Sequence, residues 1–379
     1  MAPIAIEPVE VPAEIRFPTK SVAPSATVKL PLINNGSLDN LEQFDVTPVI
    51  GTEFPEANLV DMLNAPNADE LLTELALTIS QRGVVFFRKQ DNLTNELQKQ
   101  LITRLGELSG KPESSGLHVH PVFSADGNHS GQADKEISTI SSRTAKDLFS
   151  QSDRLDVCAK KQSSFQWHTD IAFEKVPASY SSLRLTELPK SGGDTLWASG
   201  YELYDRLSPA MQQFFEGKTC TYAVPGYNRA AKRGNFDLYS KPRGSPLNVG
   251  TELRATHPVV RTNPITGWKS LYALDCQQIN GLTKGESNLF CDWLKKLIVD
   301  NHDLQVRLRW KNPNDIAIWD NRSTFHNATY DYFGLGDRFG NRAVGLAEVP
   351  YYDPNSKSRW ESLEGSNIGK YLHMESITE

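Results

Sequence analysis

The sequence predicts a mainly β protein whose strands form a closed barrel or two packed sheets, with helices on the outside. Eight short runs rich in β-branched and aromatic residues follow one another between residues 180 and 349. Two helical patterns are inserted among these runs. No internal repeat and no second domain are visible, although 379 residues would allow two average domains.

The elements that precede the β-rich region are a helix, a strand and a second helix. Residues 68–82 carry apolar side chains at helical spacing after an acidic start, and residues 95–108 repeat this pattern. Between them, "GVVFFRK" at 83–89 is a short apolar run typical of a buried strand. Helices therefore bracket one early strand.

Two segments show little periodicity. Residues 1–40 are rich in Pro, Ser and Val and are expected to form an extended N-terminal arm before a single domain at 41–379. Residues 124–164 are rich in Ser, Asp and Lys, and only the short "EISTIS" interrupts them. A loop this long in a compact domain indicates a lid.

The elements of the β-rich region follow in chain order. The strand-like runs are "YSSLRLTEL", "GDTLWAS", "TCTYAV", "THPVVRT", "KSLYAL", "LQVRLRW", "IAIWD" and "RAVGLAEV". The inserted helical patterns are "GYELYDRLSPAMQQFFEG" and "ESNLFCDWLKKLIVDN".

Composition limits the partners of the chain. The net charge is −6 with a pI of about 5.8, and charges of both signs are interspersed, which argues against a nucleic-acid or anionic-membrane surface. The four cysteines lie far apart without a CxxC pair, so neither a disulfide framework nor a zinc knuckle is indicated. No apolar run reaches the roughly 20 residues that span a bilayer. A cytoplasmic protein with a small-molecule partner is expected.

One short stretch places ionisable groups among aromatic residues. "SSFQWHTDIAF" at 163–173 contains His168 and Asp170 between Trp167 and Phe173. On a strand, residues two apart share a face, so both side chains would be presented together. A buried imidazole and carboxylate need either a hydrogen-bonded partner network or a metal ion, and this stretch alone leaves both open.

A second constellation favours the metal. His326 follows the strand-like "IAIWD", and Arg338 and Arg342 lie four residues apart, which would put both guanidinium groups on one face of a strand. Two histidines and one carboxylate suit non-haem Fe(II) and leave positions open for a bidentate 2-oxo acid and O₂. An arginine could pair with such an acid. A structural zinc site would instead be closed.

The chain here resembles the taurine/2,4-D dioxygenases, the TauD/TfdA family of Fe(II)- and 2-oxoglutarate-dependent enzymes. The resemblance runs from about Phe44 to Pro350 in six ordered motifs: "GVVFFR", "HVHPVF", "WHTDIAF", "GGDTLWAS", "HPVVRTNPITGWKSLY" and "IWDNRSTFH". It implies a double-stranded β-helix, the cupin-like jelly roll, with Fe(II), 2-oxoglutarate and O₂ as cofactor and cosubstrates. Members are commonly dimers or tetramers, so a homo-oligomer is expected.

The resemblance also implies roles for particular residues. His168, Asp170 and His326 match the iron ligands of the family. Thr195 matches a threonine that contacts 2-oxoglutarate, and Arg338 matches the arginine that pairs with its distal carboxylate. Each residue also has a structural alternative. The three ligands could form a hydrogen-bonded core network without a metal, Thr195 could be an ordinary strand residue, and Arg338 could form an ion pair on the surface.

The substrate positions match the family less closely. Arg342 and His120 match residues that hold the sulfonate of taurine-type substrates. Phe123 stands where those members carry a substrate-contacting tyrosine, and Ser164 stands where they carry an asparagine. Taurine itself is therefore doubtful, although a small anionic substrate is still expected.

Three functions remain open at this point. The first is oxidation of an alkylsulfonate or taurine-like compound to an aldehyde and sulfite, with succinate and CO₂ as coproducts. The second is the same iron chemistry on an amino acid or other carboxylate in a biosynthetic pathway. The third is a metal hydrolase or cupin-like binding protein that uses His118 and His120, although His118 and His257 are expected to be structural.

Overall fold

The computed structural model describes residues 30–122, 134–142, 166–332 and 334–364. Most of the expected N-terminal arm and most of the expected lid therefore lie outside the described residues. Residues 30–40 contain bends and turns without a strand or helix. Of the lid, the "EISTIS" run is described, and it forms a strand.

The described chain is mainly β with flanking helices, as expected. Its strands are β1 Phe44–Asp45, β2 Thr52–Phe54, β3 Val84–Phe87, β4 Ile137–Ser141, β5 Ala178–Glu187, β6 Thr195–Ser199, β7 Thr219–Ala223, β8 Arg254–Pro258, β9 Val260–Thr262, β10 Lys269–Leu271, β11 Gln278–Ile279, β12 Gln305–Leu308, β13 Ile316–Asp320, β14 Thr324–Ala328 and β15 Phe339–Leu346. All eight strand-like runs of the sequence contain an observed strand.

The strands form one large sheet and three small ones. The large sheet has the order β1-β2-β3-β13-β5-β15-β4, and its only parallel pair is β2 with β3. A three-stranded sheet has the order β12-β6-β14, another has the order β11-β7-β8, and β10 pairs with β9. Since strands distant in the chain become neighbours, residues from 44 to 346 meet in one sheet.

The core that positions the site lies between the large sheet and the β12-β6-β14 sheet. Phe86 and Trp319 of the large sheet pack in one buried cluster with Trp197 of β6 and Val306 of β12. The Trp197 ring lies 5.5 Å from Phe86 and 5.7 Å from Trp319, measured between ring centroids. Burial of rings this large supplies much of the apolar contact between two sheets.

The helices lie outside the sheets. They are α1 Leu59–Asn64, α2 Ala68–Arg82, α3 Asn95–Leu108, α4 Gly200–Asp205, α5 Pro209–Phe215, α6 Pro225–Gly234, α7 Lys284–Asp300 and α8 Arg359–Leu363. The α2 and α3 predictions are confirmed, whereas "GYELYDRLSPAMQQFFEG" divides into α4 and α5. Among the described helices, none has the length and apolar character needed to cross a membrane.

Two local features differ from the sequence expectations. The stretch around His168 is not a strand: His168 makes an isolated bridge to His326, and residues 170–173 form a turn. His326 follows strand β13, as expected, but it lies within a further strand, β14, that the sequence pattern did not indicate. The sequence pattern missed β14 because its buried residues are mostly polar, and it missed the turn because Ile171 has a positive φ of 48°.

The buried carboxyl group of Asp205, at the end of α4, makes stability depend on pH. Burial raises the pKa of Asp205 to about 7, although a hydrogen bond from Ser358 acts in the opposite direction. An unfolded aspartate titrates near about 3.9. Between about pH 4 and pH 7 the folded chain therefore keeps a proton on Asp205 that the unfolded chain has lost. The contribution of Asp205 to the free energy of unfolding falls as the pH rises through this range.

Replacement of Asp205 by asparagine is expected to remove this pH dependence. The side-chain amide oxygen can still accept the hydrogen bond from the Trp360 backbone N–H, which is 3.2 Å from Asp205 Oδ2. Thermal unfolding at pH 5 and pH 8 measures the effect. We expect Asp205→Asn to raise the Tm by about 2 °C or more at pH 8 and by clearly less at pH 5, where the folded carboxyl group is still protonated. An equal change at both pH values would contradict the assignment.

Candidate metal centre

Three side chains from two segments converge on one point. The backbones of His168 and His326 exchange hydrogen bonds, with N···O distances of 3.1 and 2.8 Å. This bridge brings the two imidazole centroids to 4.2 Å, and His326 Nε2 lies 3.8 Å from Asp170 Oδ1. One nitrogen or oxygen from each residue lies within 4.8 Å of the others. In the described ranges, no other group of three His, Cys, Asp or Glu side chains has this geometry.

Asp170 is held by a residue that sequence analysis did not single out. Asn321 Oδ1 accepts a hydrogen bond from the Asp170 backbone N–H at 3.1 Å. The Asn321 side-chain amide donates to Ser181 Oγ at 2.8 Å, and Ser181 Oγ donates to Asp170 Oδ2 at 3.2 Å. The available signal was an asparagine directly after a strand in "IWDNRSTFH", where a buried amide needs partners.

The protonation states suit metal ligation. Burial, assisted by His168, lowers the pKa of His326 to about 3. Burial alone would raise the pKa of Asp170, but Arg342 and the two histidines hold it at about 2. At neutral pH His326 is therefore neutral and Asp170 is ionised, which are the forms that bind metals.

The orientation of the His168 ring also suits metal binding. Its Nδ1 donates to the Gln166 carbonyl oxygen at 2.7 Å, because a carbonyl can only accept. The lone pair of Nε2 is then free, as in most metal-binding histidines. Two imidazoles and one hard carboxylate fit Fe(II), and they leave coordination positions for other ligands.

Arg338 and Thr195 form a second polar group beside the metal centre. Arg338 is buried, its Nε donates to the Gly193 carbonyl at 2.9 Å, and its Nη2 donates to Thr195 Oγ1 at 3.1 Å. Trp310 Nε1 donates to the same hydroxyl oxygen at 3.2 Å. No carboxylate within the described ranges forms an ion pair with Arg338. A buried guanidinium without a counter-ion can receive the carboxylate of a ligand.

Gly192 and Gly193 of "GGDTLW" let the backbone lie close to Asp331 and Arg338. Gly193 has a φ of +73°, and a Cβ atom there would lie 3.0 Å from Arg338 Cδ. At Gly192, which has a φ of +78°, a Cβ atom would lie 2.6 Å from Asp331 Oδ1. Side chains at these positions would displace the arginine or the loop that follows β14.

Arg342 lies closer to the metal centre than the sequence indicated. Its Nη1 lies 2.5 Å from Asp170 Oδ1, and the side chain is 13% exposed. Its buried Nε has no hydrogen-bond partner among the described residues. The guanidinium group therefore neutralises Asp170 and retains an unused donor. Its predicted contact with a substrate anion stays a prediction.

His120 and Tyr227, a residue that the sequence did not indicate, lie near Arg342 and Asp170. The Val122 backbone N–H donates to His120 Nδ1 at 3.1 Å, so Nε2 carries the proton. Burial lowers the pKa of His120 well below its usual value. The ring of Tyr227, on α6, lies 5.4 Å from His120 and 5.8 Å from Phe173 between centroids. No sequence pattern indicated α6, because "PGYNRAAKRG" is short and polar.

The remaining predicted positions divide into two groups. His118 contacts Glu174, with His118 Nε2 3.3 Å from Glu174 Oε1, and His257 Nε2 donates to the Ala172 carbonyl at 2.9 Å. Both histidines lie outside the metal centre, as expected for structural residues. Phe123 and Ser164 lie outside the described residues.

Comparison with known proteins agrees with this geometry. The model of the taurine catabolism dioxygenase TauD, TfdA family matches residues 42–344. The alpha-ketoglutarate-dependent dioxygenase btcD of Neocamarosporium betae is 51% identical over 346 residues, which cover 89% of this chain and 99% of that protein. The alpha-ketoglutarate-dependent sulfonate dioxygenase of Saccharomyces cerevisiae is 31% identical over 310 residues, which cover 81% and 67%.

A solved structure shows the same fold. The crystal structure of a taurine dioxygenase from Burkholderia xenovorans superposes with a TM-score of 0.60 and 24% identity, covering 83% of this chain and 92% of that chain. The family match extends over most of the sequence and includes the segments that carry His168, Thr195, His326 and Arg338. The chain therefore belongs to the TauD/TfdA family of dioxygenases.

Proposed function

We propose that His168, Asp170 and His326 hold the Fe(II) of a 2-oxoglutarate-dependent dioxygenase that oxidises a small organic anion. Enzymes of this family use Fe(II), 2-oxoglutarate and O₂. The observation that carries the proposal is the convergence of two imidazoles and one carboxylate within 4.8 Å. The two facing sheets support a double-stranded β-helix around this site.

When bound, Fe(II) supplies the activation of O₂ that is coupled to conversion of 2-oxoglutarate to succinate and CO₂. The chain supplies binding and orientation. Arg338 and the hydroxyl group of Thr195 would receive the distal carboxylate of 2-oxoglutarate. Asn321 and Ser181 keep the Asp170 carboxylate in one orientation. Trp167, 3% exposed, directly precedes His168 and packs in a buried apolar cluster.

The substrate anion would contact the unused donor of Arg342 and the Nε2–H of neutral His120. Two donors converging on one anion position the neighbouring C–H group for oxidation. An alkylsulfonate or taurine-like compound is the first candidate. Oxidation of the carbon next to sulfur by one O₂ and one 2-oxoglutarate would give an aldehyde, sulfite, succinate and CO₂.

A carboxylate or amino-acid substrate is the second candidate, since Arg342 can bind either anion. It is favoured by the relative of 51% identity, whose name mentions no sulfonate, whereas the named sulfonate dioxygenase is 31% identical. An apolar cluster includes Ile171 and Phe173, which follow Asp170 in the chain, and Val344, which lies two residues after Arg342.

Succinate and sulfite, measured separately, distinguish these candidates. Apoprotein is loaded with Fe(II) without oxygen, mixed with 2-oxoglutarate, and exposed to O₂ with alkylsulfonates or with carboxylates of matched chain length. We expect substrate-stimulated succinate, with equimolar sulfite if a sulfonate is oxidised. Succinate without sulfite would favour the carboxylate. Product formation without O₂ or 2-oxoglutarate would instead support the hydrolase alternative.

A further inference from the structure

We propose that Glu174 is a positioning residue, which fixes both the turn that carries Asp170 and the segment that carries His120. The inference rests on the proposed function, because its consequence is a change in Fe(II) affinity. Glu174 is 2% exposed and belongs to no metal group, yet it contacts two other buried ionisable side chains.

The turn after Asp170 has a conformation that its residues do not favour. Ile171 is β-branched and has a φ of 48°, a region in which such residues are rare. The turn is closed by the Glu174 backbone N–H, which donates to the Ile171 carbonyl at 2.9 Å. Contacts from the surrounding structure must therefore hold it.

The carboxylate of Glu174 supplies such contacts. Arg243 donates to it twice, through Nε to Oε1 and through Nη2 to Oε2 at 2.8 Å. Arg243 Nη1 in turn donates to the carbonyls of Tyr239 and Gly250 at 3.1 and 2.8 Å. The turn is thereby attached to residues 239–250 by a buried, charged and two-pronged interaction.

The same carboxylate reaches the substrate side of the site. His118 Nε2 lies 3.3 Å from Glu174 Oε1, and the His118 backbone N–H donates to the Val344 carbonyl of β15 at 2.8 Å. His120 follows two residues later, and Arg342 lies two residues before Val344. One buried anion therefore joins the metal-ligand turn to both predicted substrate contacts.

Glu174→Gln tests the proposal because it keeps the shape of the side chain and removes its charge. Glu53→Gln is the matched control. Glu53 binds Arg88 in the same two-pronged way, at 2.7 and 2.8 Å, and lies on β2, which pairs with β1 and β3 and carries none of the three metal-binding side chains. Glu174→Gln removes the carboxylate that pairs with Arg243, whereas in Glu53→Gln Arg88 keeps Asp315 at 2.9 Å as a second counter-ion.

Two readouts on the protein without substrate are used. Anaerobic calorimetric titration with Fe(II) gives the Kd, and hydrogen exchange of the metal-free protein reports the amide of residue 174. We expect Glu174→Gln to weaken Fe(II) binding by about 10-fold or more and to speed this exchange. Glu53→Gln should lower the Tm without changing either quantity.

A wild-type Kd together with wild-type exchange in Glu174→Gln would overturn the proposal. An equal loss of Fe(II) affinity in Glu53→Gln would overturn it as well, because general destabilisation would then suffice. If Glu174→Gln does not fold, Arg243→Lys retains the charge and loses the two-pronged contact with Glu174. This variant should raise the Kd severalfold, and an unchanged Kd would refute the role of the pair.

Failure of the proposed function gives a different result. If the wild-type protein binds no Fe(II), the metal assignment is wrong, whereas the exchange experiment still shows whether Glu174 holds the turn.

Discussion

Replacement of His168 by alanine is expected to weaken Fe(II) binding by at least about 100-fold and to abolish iron-dependent succinate formation. Loss of a hydrogen-bond partner of a metal ligand lowers metal affinity by about 10- to 100-fold, and loss of a ligand itself should lower it more. His168 suits this test better than His326, because His168 is only partly buried and its removal leaves a smaller cavity. Anaerobic Fe(II) titration and succinate measurement report the two effects.

His302→Ala is the control for this variant, since His302 is exposed on a short 3₁₀ turn after α7. It should bind Fe(II) and form succinate as the wild type does. Wild-type turnover in His168→Ala would refute the ligand assignment.

Replacement of Arg338 by methionine should raise the KM for 2-oxoglutarate by about 100-fold or more while leaving Fe(II) affinity nearly unchanged. Each hydrogen bond to a charged group contributes about 1.5 to 3 kcal/mol, and a guanidinium can donate two to one carboxylate. Methionine fills much of the same volume without charge. Succinate formation at varied 2-oxoglutarate concentrations measures the KM, and Fe(II) titration measures the metal site.

Arg342→Met separates the two arginines. It should raise the KM for the organic substrate far more than that for 2-oxoglutarate. If Arg342→Met raised the KM for 2-oxoglutarate more than Arg338→Met does, the roles assigned to the two arginines would be exchanged.

Local sequence patterns predicted the elements whose burial follows a simple periodicity. The run "GVVFFRK" predicted β3, and all four residues of β3 are buried. The helical spacing of residues 68–82 predicted α2 with the same bounds. In both cases apolar side chains alone decide the local structure, so neighbours in the chain carry enough information.

The site was predictable as a set of residues but not as a geometry. Period-two alternation placed His168 and Asp170 on a strand, whereas the turn at Ile171 depends on partners far away in the sequence. Asn321 and Glu174 could not be assigned, because an isolated asparagine or glutamate shows no periodicity. Arg342 was expected to bind a substrate anion, and its additional contact with Asp170 depends on the pairing of β15 with β5.

Several expectations stay predictions. They include the roles of Phe123 and Ser164, the lid function of residues 124–164, the single domain at 41–379, the dimer or tetramer, and the cytoplasmic location. The sulfonate and carboxylate candidates for the substrate belong with them.

The unfavourable backbone of Ile171 has a consequence for biosynthesis. Because contacts from distant residues stabilise the turn, a nascent chain that ends shortly after Phe173 lacks the contacts that would stabilise it. Arg243 is made 69 residues after Glu174, and His326 emerges from the ribosome later still. We therefore expect the chain to acquire iron only after its last third has been synthesised, when the finished fold can already shield the redox-active ion.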